Sequence, residues 1–106
     1  MRLWFPAIAL LLIGSTEGLA SSGSQRAQGA AVFADSGCMH CHTIRNKGGN
    51  KGPDLSGVGR KLTEAQIRKQ VLYGSKIMPA FGDVLSDREL TDLLAYLRSC
   101  RDKGKK

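Results

Sequence analysis

The C-terminal third of the chain carries the clearest pattern. Leu90, Leu93, Leu94 and Leu97 recur at i, i+3, i+4 and i+7, a single apolar stripe on a helix. Ser86 stands at the N-cap position with Glu89 three residues on, a capping box, and Leu85 and Leu90 occupy the hydrophobic-staple positions. Tyr96 flanks the stripe, and Arg98, Arg101 and Lys103 fall where positive charge complements the helix dipole. The same grammar opens an earlier helix. Thr63 and Gln66 form its capping box, Leu62 and Ile67 its staple, Ile67 and Val71 share a face, and Gly74 is placed to end it. A further helix is expected from Gln25 to about Ala34. Ala30, Val32 and Phe33 supply its apolar contact, and Gly29 permits close approach by another helix. Asp35-Ser36-Gly37 interrupts it.

No run alternates as a strand does. Residues 43–61 read as a loop, because Gly48-Gly49-Asn50-Lys51-Gly52-Pro53 suits neither a helix nor a central strand. A loop this long in a small domain is uncommon unless it has a task. The expected fold is all-α, one domain of three main helices joined by long loops.

The N-terminus is patterned differently. Arg2 precedes an apolar run from Leu3 to Ile13, followed by polar residues and the small-x-small sequence Gly18-Leu19-Ala20. This reads as a secretory signal peptide over residues 1–20, cleaved after Ala20. The run is far shorter than the roughly 20 residues a spanning helix needs, so no transmembrane span is expected in the mature protein. Residues 21–27 then form a flexible polar linker, 28–101 the folded domain and 102–106 a basic tail.

Chemistry enters with Cys38-Met39-His40-Cys41-His42, a C-x-x-C-H sequence. On a helical turn, residues three and four apart share a face. Cys38 and Cys41 can then form thioethers with the two vinyl groups of one haem, and His42 can present its imidazole to the iron. A zinc site would need a second ligand pair. Only His40, His42 and Cys100 remain for that, two of them inside the motif. A thioredoxin-like pair would need a βαβ surround that the pattern lacks. One covalent haem c is the expected cofactor. So small a mature domain buries limited apolar surface alone, so the haem is expected to complete the core, and the apoprotein to fold poorly.

Beyond the signal segment the methionines are Met39 and Met78. Met39 lies inside the motif and cannot turn across the ring. Met78 lies in Lys76-Ile77-Met78-Pro79-Ala80-Phe81, where Pro79 biases it toward an extended conformation. Met78 is the expected second axial ligand; the alternative is an ordinary core filler. A His/Met pair raises the reduction potential and fills both axial positions, which suits electron transfer. Cys100 extends the leucine stripe and reads as a small buried hydrophobe, the alternative being an exposed thiol able to pair between molecules.

The 106 residues carry a formal net charge of +7, which removing the signal segment leaves unchanged because Arg2 and Glu17 cancel. Two haem propionates would lower it. Such a balance admits nucleic acid, a membrane surface or an acidic protein. Export and the few mature aromatics, Phe33, Tyr73, Phe81 and Tyr96, argue against nucleic acid. The expected partners are redox proteins with acidic docking surfaces, steered by a basic rim of Arg45, Lys47, Lys51 and Lys76.

From about Gln28 to Cys100 the chain resembles the class I c-type cytochromes. Gly29-Ala30-Ala31-Val32-Phe33 looks like that family's first helix and Leu94-Ala95-Tyr96-Leu97 like its last. The resemblance implies that these helices cross at the glycine, with the two aromatics nearby. Gly52-Pro53-Asp54-Leu55 resembles the loop whose proline carbonyl accepts a hydrogen bond from the haem-ligating histidine, a role carried to Pro53. Gly59-Arg60-Lys61 resembles the segment where an arginine approaches a haem propionate, but one residue closer to the proline. Arg60 is therefore either that contact or a surface arginine. Tyr73 is either a propionate contact or an ordinary helix tyrosine. The resemblance implies a small cytochrome c-like fold, haem attachment outside the cytoplasm, and a monomeric periplasmic one-electron carrier that is not an enzyme. Two alternatives are an electron-entry subunit of a larger periplasmic dehydrogenase or oxidase, and a gas-binding haem protein.

Overall fold

The computed structural model describes residues 22–103. The signal peptide expected over 1–20, with its cleavage point, lies outside the described residues, as does 104–106 of the basic tail.

Helix α1 spans Gly23–Asp35 and leads into a 3-10 turn, Cys38–His40. A two-stranded antiparallel hairpin follows, β1 (Thr43–Ile44) pairing with β2 (Lys47–Gly48). Then come one helical turn, α2 (Val58–Lys61), and the helices α3 (Glu64–Tyr73) and α4 (Asp87–Ser99). The three main helices stand where the apolar pattern puts them.

Both capping boxes form. Thr63 Oγ1 accepts from the Gln66 N–H at 3.2 Å while Gln66 Oε1 accepts from the Thr63 N–H at 2.9 Å. Ser86 and Glu89 repeat the exchange at 3.1 and 2.9 Å. These bonds fix where α3 and α4 start, and hence which faces turn inward. Leu90, Leu93, Leu94 and Leu97 are buried in α4, and Ile67 and Val71 in α3. Phe33, Ile44 and Val58 join them in one core.

Helices α1 and α4 cross at Gly29. A Cβ there would overlap the Asp92 carbonyl oxygen and sit 2.7 Å from Tyr96 Cβ. The Phe33 and Tyr96 rings pack beside this crossing, centroids 5.8 Å apart and tilted by 59°. The close approach has an energetic purpose: it seats the leucine stripe against Val32 and Phe33 without an intervening side chain.

Several expectations change. Helix α1 begins at Gly23 because the Ser22 hydroxyl accepts from the Gln25 N–H at 3.0 Å, so residues 23–27 are helical where a linker was expected. Residues 43–61 are not all loop. The hairpin turns through Arg45 and Asn46, both at positive φ (50° and 69°), the backbone of a tight two-residue turn. The tail is engaged at its start: the Asp102 N–H donates to the Ser56 carbonyl at 3.0 Å and its carboxylate pairs with Arg45 at 3.2 Å. Cys100 is buried, at 1% exposure, its thiol donating to the Tyr96 carbonyl at 3.4 Å. Burial pushes that thiol above its ordinary pKa range, so the small-hydrophobe reading holds.

Candidate functional site

The helices enclose a cavity of about 710 Å³. Cys38, Cys41, His42, Pro53 and Met78 all line it, although they come from three separate stretches of chain. Its walls are mainly apolar and include the core residues Phe33, Val58, Ile67, Val71, Leu93 and Leu97.

The C-x-x-C-H segment is shaped by its own backbone. The Cys41 and His42 N–H groups both donate to the Cys38 carbonyl, at 3.3 and 3.0 Å. That single turn brings both cysteines and His42 to the cavity together. The thiols are unpaired with each other or with Cys100. Burial pushes the Cys38 thiol above its ordinary pKa range. Among the described residues no three His, Cys, Asp or Glu side chains gather to hold a metal ion, so the cysteines lack the companions a zinc site requires.

His42 is oriented from behind. Its Nδ1 lies 2.7 Å from the Pro53 carbonyl oxygen. A carbonyl only accepts, so Nδ1 carries the proton and the Nε2 lone pair is left free. Gly52 packs against the same ring: a Cβ there would stand 2.6 Å from His42 Cε1. The loop is held in place by its own bonds, the Gly52 N–H donating to the Cys41 carbonyl at 2.7 Å and the Gly49 N–H to the Met39 carbonyl at 2.8 Å.

Met78 is half-buried at the cavity. Its loop leaves α3 through Gly74 and returns to it. The Ser75 N–H donates to the Met78 carbonyl at 2.9 Å, and the Phe81 N–H to the Val71 carbonyl at 2.9 Å. The sulfur receives the Gln70 amide Nε2–H at 3.5 Å.

Arg60 is not brought in. It is exposed and does not line the cavity; Lys61 and Lys51 do. The reason is the helical turn α2. Val58, Lys61 and Leu62 lie three and four apart and share the inner face, whereas Arg60 at i+2 is off it. Leu62, at a staple position, lines the cavity at 41% exposure. Tyr73 is 73% exposed and also lies off the cavity lining. Gln70 is a site residue that the sequence pattern did not single out, and Gly52 and Lys61 stood there only as motif neighbours of Pro53 and Arg60. Their roles depend on contacts between distant segments.

The chemistry of this donor set fits a covalently attached haem: two half-buried free cysteines, one imidazole with a free Nε2, and one thioether, all around a mainly apolar cavity. Residues 24–97 match the family model described as cytochrome C oxidase, cbb3-type, subunit III. The chain belongs to the c-type cytochromes. Cytochrome c6 of a Picosynechococcus strain is 31% identical over 116 residues, covering 93% of this chain and 95% of that protein. The cytochrome c subunit of 4-cresol dehydrogenase (hydroxylating) from Pseudomonas putida is 37% identical over 83 residues, 77% of this chain and 68% of that one. The solved c-type cytochrome SorU of Sinorhizobium meliloti has the same fold, with a TM-score of 0.64 at 26% identity, over 80% of this chain and 100% of that one. Two other curated relatives are longer, and the chain spans only 30% and 27% of them. Like its family, this cytochrome carries a covalent haem c, and its fold is the small helical one of SorU.

Proposed function

We propose that the chain is a periplasmic one-electron carrier, with Cys38 and Cys41 attached to haem c and His42 and Met78 as the two iron ligands. The observation that carries this reading is the convergence of these four side chains on one cavity. When bound, the haem supplies the one-electron chemistry, its iron alternating between ferric and ferrous. The protein's residues do the rest. Pro53 fixes the His42 tautomer, so that the unprotonated Nε2 is the ring nitrogen left to ligate the iron. The tied Met78 loop supplies a weak, soft donor, which favours the ferrous state and a raised potential. The apolar walls exclude water.

Among the described residues no helix is long and apolar enough to cross a membrane. The reading of a periplasmic carrier rests on the leader-like sequence at 1–20. Lys51 and Lys61 at the cavity, with the exposed Lys47 and Lys76, form the basic rim that favours an acidic redox partner. Arg45 contributes less to that rim than the sequence suggested, because Asp102 pairs with it. Stopped-flow electron exchange with an acidic redox protein tests the reading. Transfer of one electron per chain is expected, at rates that fall steeply as salt rises. Absence of exchange contradicts the carrier role, and salt-independent rates contradict the steering.

One observation favours a second reading. The relative from Pseudomonas putida is the cytochrome c subunit of a dehydrogenase, so this chain can be proposed as an electron-entry subunit. Co-purification in a stable stoichiometric complex distinguishes that from a free monomer.

A further inference from the structure

Arg60 stands outside the haem cavity, and so does every other arginine among the described residues. Four of them belong to one face. Gly59 in α2 lies directly on the end of α4. Its N–H donates to the Cys100 carbonyl at 2.8 Å, and a Cβ there would overlap the Arg98 carbonyl oxygen. This contact brings the backbone of Arg60 next to the segment that carries Arg98 and Arg101. The Arg101 Nη1–H donates to the Gly59 carbonyl at 2.6 Å. From α3, Glu64 takes Arg98 at 3.6 Å and Arg68 at 3.3 Å. The charge of this face is not balanced. Across residues 58–68 and 98–103 the carboxylates are Glu64 and Asp102. Two arginines share the first, and Arg45 takes the second. Among the described residues neither Arg60 nor Arg101 pairs with a carboxylate.

We infer that this arginine face, built by α2, the start of α3 and the end of α4, is a docking surface for a carboxylate-rich protein, separate from the lysine rim at the haem cavity. Such a partner is held there while the rim stays open for electron exchange. The guanidinium fork matches a carboxylate with two parallel hydrogen bonds, which a lysine ammonium cannot do. Arginine is also the basic residue that protein interfaces favour, whereas lysine is depleted in them. Arg68, Arg98 and Arg101 are exposed yet already held by Glu64 and the Gly59 carbonyl, so they lose little freedom when a partner arrives. A membrane surface fits less well, because a helix that lies on a bilayer inserts large apolar side chains between the headgroups. The exposed large apolar residue in these segments is Leu62, and it lines the haem cavity. The surface does not depend on which residues ligate the iron.

The test titrates the haem-loaded protein with a short poly-L-glutamate, which stands in for an acidic protein surface, and in parallel with vesicles of phosphatidylglycerol. Three triple variants change the same number of side chains. The first carries Arg60→Gln, Arg98→Gln and Arg101→Gln. The second carries Lys47→Gln, Lys51→Gln and Lys76→Gln and removes the same charge from the rim. The third has lysine at 60, 98 and 101, which keeps the charge and removes the fork. Calorimetry at low salt reads the affinity. The first variant is expected to bind poly-L-glutamate about eightfold more weakly, three exposed ion pairs at roughly twofold each. The rim variant is expected to lose about twofold or less, and the all-lysine variant to fall between wild type and the first. Arg60→Gln alone, at an exposed position, is expected to lose about twofold, which keeps the test open if the triple change weakens the fold. A loss from the rim variant equal to that from the arginine variant overturns the inference, because net charge alone then explains the binding. Wild-type affinity in the all-lysine variant overturns the role of the guanidinium groups. Tighter binding to the vesicles than to poly-L-glutamate, lost in the arginine variant, overturns the choice of partner and makes this a membrane-facing surface.

Discussion

Gly29→Val is expected to abolish cooperative folding of the holoprotein, and Gly29→Ala to cost roughly 3 kcal/mol, the upper part of the range for overpacking a close contact. The position leaves no room for a side chain. An added Cβ would overlap the Asp92 carbonyl oxygen and lie 2.7 Å from Tyr96 Cβ. Backbone cannot rotate aside as a long side chain can. Relief requires α4 to shift away from α1, and α4 carries the leucine stripe and the Phe33–Tyr96 ring contact. Shifting it also moves Leu93 and Leu97, two walls of the haem cavity. A domain this small has a stability of only about 5–10 kcal/mol in total, so the loss is a large share of it. Guanidinium unfolding followed by helical circular dichroism measures the effect. A midpoint for Gly29→Ala within error of wild type refutes the account of the crossing.

The second large effect is expected at Gly74. Its backbone has φ 64° and ψ −157°, a region open essentially to glycine alone. A Cβ there would overlap the Met78 carbonyl oxygen and stand 2.8 Å from the Pro79 carbonyl carbon. Gly74→Ala therefore forces the loop off α3 at the point where Met78 is held. Backbone strain alone costs about 1–3 kcal/mol. The functional outcome is larger than the stability loss. With the thioether displaced, the reduction potential is expected to fall markedly and the ferrous protein to accept an added ligand, because His/Met ligation is what raises the potential. Redox titration of Gly74→Ala measures this, and a potential equal to wild type contradicts it.

Much of this was legible in the sequence because it is local. Each capping box, at Thr63 and at Ser86, is written within four residues, and the leucine stripe within eight. The haem motif is likewise one turn of chain. Met78 and Pro53 were legible by elimination and by resemblance, and the structure brings both to the cavity. What escaped depends on geometry between distant segments. The hairpin has two-residue strands, too short to alternate, and its turn uses Arg45 and Asn46 where glycine would have signalled it. Arg60 and Lys61 are adjacent in sequence, and only the register of α2 decides that Lys61 reaches the cavity. Gln70 reads as a polar helix residue until the Met78 loop is folded back beside it.

The central claim is that His42 and Met78 together close both faces of the haem iron, leaving it to move electrons. Exposure of the reduced, haem-loaded protein to carbon monoxide at neutral pH, with Met78→Ala alongside, tests it most directly. The account predicts an unchanged visible spectrum for wild type over minutes and prompt formation of a carbonyl spectrum for Met78→Ala. Rapid carbon monoxide binding by wild type, indistinguishable from the variant, would contradict it.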